Sequence, residues 1–154
     1  MTDVAADRLA WNARFDTPEY IFGTAPNAFL ASQRARLAPY CKPGATALAI
    51  GEGRNGVFLA GQGLDVISVD IAELALDKAR TLATARGVPL RTQALDIISW
   101  DWPVAQFDVV AAISFQFCEP DERDRIFAGI RRALKPGGLL LLQGYRPEQL
   151  SYGT

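Results

Sequence analysis

The residues with the clearest chemical potential in this chain are glycines and acids. Gly51-Glu52-Gly53-Arg54-Asn55-Gly56 forms a G-x-G-x-x-G array. Glycine lets the backbone turn sharply and leaves no Cβ to hold off a ligand, so the array suits close approach of a nucleotide-type group to bare main chain. A tight strand-to-helix turn asks for the same residues, so the array alone is a weak signal. Asp70 strengthens it, because a carboxylate at the end of the next strand can accept both hydroxyl protons of a ribose; the competing role for Asp70 is to cap the helix that follows. Asp70 lies 14 residues after Gly56, short of the ~20 found in dinucleotide-binding units, which places a nicotinamide-dinucleotide ligand second. Leu95-Asp96-Ile97 sets another acid at a strand end. There it can accept from an adenine amino group or, as is common for Asp, bond its own turn.

Other chemistries are excluded by composition. The 154 residues contain no histidine and two cysteines, Cys41 and Cys118, far apart in sequence. A Ser-His-Asp triad, a Cys-His pair and a structural zinc site are therefore ruled out, and no metal is expected. With 16 Lys and Arg against 17 Asp and Glu, the net charge of −1 gives no electrostatic case for nucleic acid. No apolar run approaches the ~20 residues of a membrane span. The first residues, MTDVAADRLAWN, lack the apolar stretch of a signal peptide, so a cytoplasmic location is expected.

The elements that must position these residues follow from hydrophobic spacing. A helical lead-in occupies 1–40, with Asn27 as N-cap of a helix through Leu30, Gln33 and Leu37 that ends before Pro39. Strands are expected at 45–50, 64–69, 90–95, 107–113 and 139–142. Helices are expected at 54–62, 72–86 (capped by Gly87) and 121–134, the last ending at a Pro136-Gly137-Gly138 turn. The strands are continuously apolar and separated by helices, which implies burial on both faces and a parallel sheet. The expectation is one α/β domain over 1–154: the lead-in as a lid, an open Rossmann-like core over 41–144 with helices on both faces, and a loop-like tail over 145–154.

Several segments together resemble the class I S-adenosylmethionine-dependent methyltransferases, and more narrowly their tellurite-resistance and thiopurine methyltransferase branch. They are Gly51 to Ala60 (GEGRNGVFLA), Asp65 to Asp70 (DVISVD), Leu95-Asp96, Phe107 to Val110 (FDVV) and Leu134 to Gly138 (LKPGG). At the N-terminus, Trp11 to Phe15 (WNARF) and Tyr20 to Leu30 (YIFGTAPNAFL) resemble that branch's lead-in. The likeness spans nearly the whole chain. Two departures stand out. The glycine loop is two residues shorter than the family's G-x-G-x-G array if both of its flanks are aligned. The sequence also stops where the family continues with a helix and an antiparallel strand pair, which reads either as a truncated form or as an exposed edge paired in a homodimer; a monomer is the other oligomeric expectation.

The resemblance implies S-adenosyl-L-methionine as cofactor and in-line methyl transfer to a small-molecule acceptor. A soft sulfur, selenium or tellurium nucleophile would need no general base. By the same resemblance, Gly51, Glu52 and Gly53 would lie under the methionine part and Asp70 on the ribose. Ile71 would pack on the adenine face, with Asp96 and Ile97 at the adenine edge. Arg54 or Arg14 would hold the methionine carboxylate, and Trp11, Phe15, Tyr20 and Phe22 could close over the sulfonium or simply dock the lead-in. Ser114 follows the fourth strand on the cofactor side. Phe115, Phe117, Tyr20, Tyr145 and Arg146 are the candidates for contact with the acceptor, and Cys118 reads as a small buried hydrophobe. Trp100 and Trp102 could pack or stack on adenine. A catalytically inactive interaction module is a further reading, motivated by the short loop.

Overall fold

The computed structural model describes residues 4–15, 24–51, 53–113 and 120–143. Five strands, β1 (Thr46–Ile50), β2 (Asp65–Asp70), β3 (Arg91–Ala94), β4 (Phe107–Ile113) and β5 (Leu134–Gln143), form a sheet in the order β3-β2-β1-β4-β5. Each neighbouring pair is parallel. The helices α4 (Arg54–Gly61), α5 (Glu73–Arg86) and α6 (Pro120–Ala133) make the crossovers β1-α4-β2, β2-α5-β3 and β4-α6-β5. This is the open, Rossmann-like α/β sheet that the strand pattern predicts.

Burial on both faces explains the unbroken apolar strands. Along β1, Ala47 and Ala49 join one core with Leu59 of α4, Val66, Val109 and Ala111. Leu48 and Ile50, pointing the other way, join a second core with Val110, Ala112 and, from α6, Ile126 and Ile130. Successive side chains of a strand alternate between faces, so a doubly covered strand has no polar phase. Strand order reverses between β1 and β4, and the crevice beyond the carboxyl ends of strands at such a switch is where open α/β sheets take ligands.

The lead-in comprises α1 (Val4–Phe15), α2 (Ala28–Ser32), α3 (Arg34–Leu37) and a 3-10 turn over Ala38–Tyr40. Instead of the single helix expected from Asn27 to Leu37, the helix breaks at Gln33 (φ −94°, ψ 13°), and the chain then passes Pro39 in the tighter turn. Proline cannot donate an i→i−4 bond, so an α-helix could not have continued through it. Leu30 and Leu37 are fully buried in the first core. At ~1.5–3 kcal/mol for each buried aliphatic side chain, they fasten residues 28–40 to the sheet.

A second difference concerns Pro136-Gly137-Gly138. These residues do not separate a helix from a strand. Leu134 already pairs with Phe107, the chain bulges, and pairing resumes at Val109 with Leu139. Gly137 takes φ +78° within the bulge, and its carbonyl accepts from the Tyr40 hydroxyl at 3.2 Å. Beside it, Asp108 Oδ2 accepts from the Thr46 amide at 2.9 Å and from Lys135 Nζ at 3.2 Å, joining β1, β4 and β5 at their amino-terminal ends. Among the described residues β3 and β5 are the sheet's edges, and no helix is long and apolar enough to cross a membrane.

Candidate functional site

At the carboxyl ends of β1, β2 and β3 the backbone itself draws the candidate residues together. The Gly51 amide donates to the Val69 carbonyl at 3.0 Å, which ties the start of the glycine loop to the end of β2. The Leu95 amide donates to the Asp70 carbonyl at 3.0 Å, which ties the residue before Asp96 to the same place. Gly51, Gly53, Asp70, Ile71, Asp96 and Ile97 therefore share one rim of the sheet.

The glycines of the array have different jobs. Gly51 has φ +97°, which an L side chain rarely adopts, and a Cβ built there would meet nothing within 4 Å. Its side of the loop is open. Gly53 is buried, and a Cβ on it would lie 2.0 Å from the Ala79 Cβ of α5. Gly56 would meet the Ser68 hydroxyl at 2.1 Å. Gly53 and Gly56 are therefore glycine so that α4 can lie close against α5 and β2. Among the described residues the space beside Gly51 is open, whereas the missing Cβ atoms of Gly53 and Gly56 leave room for helix packing.

Asp70 is held tightly. Its Oδ1 accepts from the Ala72 amide at 2.9 Å, so it does cap the turn before α5. Burial pushes its pKa up to about 6, and the Ala72 and Ile71 amides pull in the opposite direction without cancelling that shift. A carboxylate kept short of solvation at a strand end is primed to accept hydroxyl protons. Ile71 beside it is half-buried and Ala72 is fully buried.

Asp96 is engaged locally. Its Oδ1 accepts from the Ile98 amide at 3.1 Å and its Oδ2 from the Ser99 hydroxyl at 2.9 Å, the turn-forming arrangement. The Ile97 carbonyl accepts from the Trp102 indole at 3.1 Å. Trp102 is buried and lies flat enough on α6 that a Cβ at Gly129 would fall 2.3 Å from its ring. Packing, rather than adenine stacking, is its role; Trp100 leans against it with ring centroids 4.7 Å apart.

The lead-in runs along this rim. Asn12 on α1 accepts from the Leu74 amide at 3.2 Å through its side chain, capping the first turn of α5 from outside. Arg54 Nη1 donates to the Ala25 carbonyl at 3.3 Å, so this guanidinium is engaged with the lead-in. Arg86 Nη2 reaches the Thr24 carbonyl at 3.5 Å, and Asn55 Oδ1 accepts from the Asn27 amide at 2.9 Å. Asn12 and Asn55 were not singled out by spacing. The available signal was a polar, weakly helix-forming residue in two segments that carry the family likeness, Trp11 to Phe15 for Asn12 and Gly51 to Ala60 for Asn55. Trp11, Arg14 and Phe15 lie on α1, where only the backbone is described. Glu52, Tyr20, Phe22, Ser114, Phe115, Phe117, Cys118, Tyr145 and Arg146 lie outside the described residues.

Comparison with known proteins follows the same lines. A family model described as a methyltransferase domain matches residues 46–138. Demethylmenaquinone methyltransferase of Thermus thermophilus is 31% identical over 102 residues, covering 65% of this chain and 46% of that protein. The chain thus spans about half the length of that curated relative. Among solved structures, an S-adenosylmethionine-dependent methyltransferase of Methanosarcina mazei is 27% identical with a TM-score of 0.59, covering 68% of this chain and 55% of that one. The N-methyltransferase NodS of Bradyrhizobium japonicum, solved with S-adenosylhomocysteine, has a TM-score of 0.65 at 16% identity, covering 86% and 70%; its likeness is one of fold.

Proposed function

The chain belongs to the methyltransferase-domain family, and on that premise we propose that it transfers a methyl group in line to a small-molecule acceptor. S-adenosyl-L-methionine is the cofactor that goes with this domain. When bound, it supplies an electrophilic sulfonium methyl; the acceptor's lone pair forms the new bond to carbon while the C–S electron pair returns to sulfur. The work left to the protein is alignment and exclusion of water, and alignment alone can supply ~7–11 kcal/mol.

The observation that carries this reading is Asp70, a carboxylate with its pKa raised to about 6 by burial, beside the open, positive-φ backbone of Gly51. Asp70 would accept from the ribose hydroxyls through the capacity left after the Ala72 amide. Gly51, Glu52 and Gly53 would support the methionine part, Ile71 the adenine face, and Asp96 with Ile97 the adenine edge. Arg54 or Arg14 would hold the methionine carboxylate, and of the two Arg54 is already bonded to the Ala25 carbonyl. For the acceptor we favour a soft sulfur, selenium or tellurium nucleophile, in keeping with the tellurite-resistance and thiopurine methyltransferase branch. Support comes from two segments of that likeness more specific than the glycines, Gly53-Arg54-Asn55 and Tyr20 to Asn27, which are bonded through Arg54 to Ala25 and Asn55 to Asn27.

Calorimetric titration with S-adenosylhomocysteine, followed by labelled-methyl transfer to a thiol, selenide, telluride and a phenol, tests both levels. The expected result is saturable binding and label on the soft acceptors. No heat with folded protein would overturn the methyltransferase reading, and label on the phenol alone would overturn the choice of acceptor. Binding of NADH in place of S-adenosylhomocysteine would install the dinucleotide reading instead.

A further inference from the structure

Asn55 has an unusual position. It stands in the first turn of α4, one residue after the N-terminal Arg54, and is 6% exposed among Val57, Phe58, Leu59 and Ala60, which are also buried. Burying an amide costs free energy unless its polar atoms are bonded. Its Oδ1 takes its hydrogen bond from the backbone amide of Asn27, 28 positions earlier in the chain. Asn27 in turn caps α2, its own Oδ1 accepting from the Leu30 amide at 3.1 Å. The bonds thus run from the helix that closes the glycine loop to the residue that starts the lead-in's helix. Arg54 to Ala25 and Arg86 to Thr24 reinforce the same strap from the loop and from α5. Gly51 and Gly53 lie four and two residues before Asn55, so a ligand that fixes the loop fixes the first turn of α4.

We propose that Asn55 is a positioning residue that couples seating of the cofactor on the glycine loop to docking of residues 24–30, and thereby to closure of the site for transfer. This rests on the methyltransferase reading. The bond uses only an acceptor oxygen on Asn55, so aspartate can replace it while alanine cannot. A carboxylate in the first turn of a helix is favoured by the amides there, which offsets its burial at a position only 6% exposed. From the other side, Asn27 has φ −52°, close to the angle proline imposes, so Asn27→Pro removes the donor, and the side-chain cap with it, while keeping the backbone path into α2. Asn27→Ala removes the cap and keeps the donor, and serves as its control.

The test is hydrogen exchange of residues 24–30 with and without S-adenosylhomocysteine, read beside its Kd and the acceptor's kcat and KM. In the wild type the ligand slows exchange of these amides. Asn55→Ala binds the ligand within about threefold of wild type, loses at least about tenfold of that protection and loses kcat more than it raises KM. Asn55→Asp restores both, and Asn27→Pro reproduces the alanine result beyond whatever Asn27→Ala does. Wild-type protection that survives in both Asn55→Ala and Asn27→Pro overturns the coupling while leaving the methyltransferase reading in place. A wild type that binds no S-adenosylhomocysteine fails at the first step and overturns both.

Discussion

At the scale of single residues, Asp70 is held at a cost to the free protein. Its folded-state pKa of about 6 lies above the ordinary 3.8. A raised pKa means that its contribution to stability is fully present below the unfolded value near 4 and is lost as pH rises through about 6. At pH 7 the buried charge therefore destabilises the ligand-free fold by up to ~3 kcal/mol. Asp70→Asn keeps an oxygen for the Ala72 amide and removes the charge. The expected outcome is a melting temperature at pH 7 equal to or above wild type. Affinity for S-adenosylhomocysteine should fall ~10- to 100-fold, the worth of charge-assisted hydrogen bonds to hydroxyls. Differential scanning calorimetry and titration calorimetry on the same preparation check this; a variant that is less stable yet binds normally would assign Asp70 to turn-capping alone. Asp70 was legible in the sequence as an acid ending a strand after a glycine array, a position that offers both a hydroxyl acceptor and a turn cap, of which the Ala72 bond is the cap. Asn55 was not, since its partner is a backbone amide and a backbone amide has no residue type to recognise.

Elements show where sequence pattern misleads. The glycine array reads either as a ligand cradle at Gly51 and Gly53 or as a plain tight turn, because a sequence does not state which way each absent Cβ would point. Gly53 faces Ala79 and Gly56 faces Ser68, so two of the three serve the packing of α4. Gly53→Ala should cost ~1–3 kcal/mol through overpacking. In a double-mutant cycle with Ala79→Gly, part of that loss should return, because the conflict is between two Cβ atoms. Denaturant unfolding of the four proteins measures it; strict additivity would mean that the loop relaxes away from α5. Ser68 adds a related case. Its hydroxyl is buried beside Gly56 with no hydrogen-bond partner among the described residues, so Ser68→Ala is expected to raise stability by about 1 kcal/mol. The core helices and the first four strands were legible to within a residue or two, the helices because one-sided burial imposes a period and the strands because burial on both faces leaves short unbroken apolar runs; β5 begins five residues before its expected start. The lead-in's break at Gln33 and the bulge over 135–138 were not, since both depend on what the tertiary structure places alongside them.

Across the whole molecule, two aspartates at opposite ends of the sheet titrate in opposite senses. Asp70 sits at the carboxyl ends with its pKa raised to about 6. Asp108 sits at the amino-terminal ends with its pKa lowered, chiefly by the Thr46 amide and also by Lys135. A lowered pKa gives stability that is present above the unfolded value near 4 and is lost only as pH falls through the folded one. Acid should therefore act in two stages. Between pH 7 and 5, Asp70 takes up its proton and S-adenosylhomocysteine affinity declines with a midpoint near 6, while circular dichroism stays native. The fold itself yields only below about 4, as Asp108 lets go of β1 and β5. Asp108→Ala should move the second transition towards neutrality and cost ~1–2 kcal/mol, the worth of a charge-assisted bond to a buried-side amide. It should leave the binding midpoint unchanged, because the two groups lie at opposite ends of the same strands. Titration calorimetry and far-ultraviolet dichroism from pH 3 to 8 separate the stages. Loss of binding and loss of structure at one shared midpoint would show that the cofactor end of the sheet has no titration of its own.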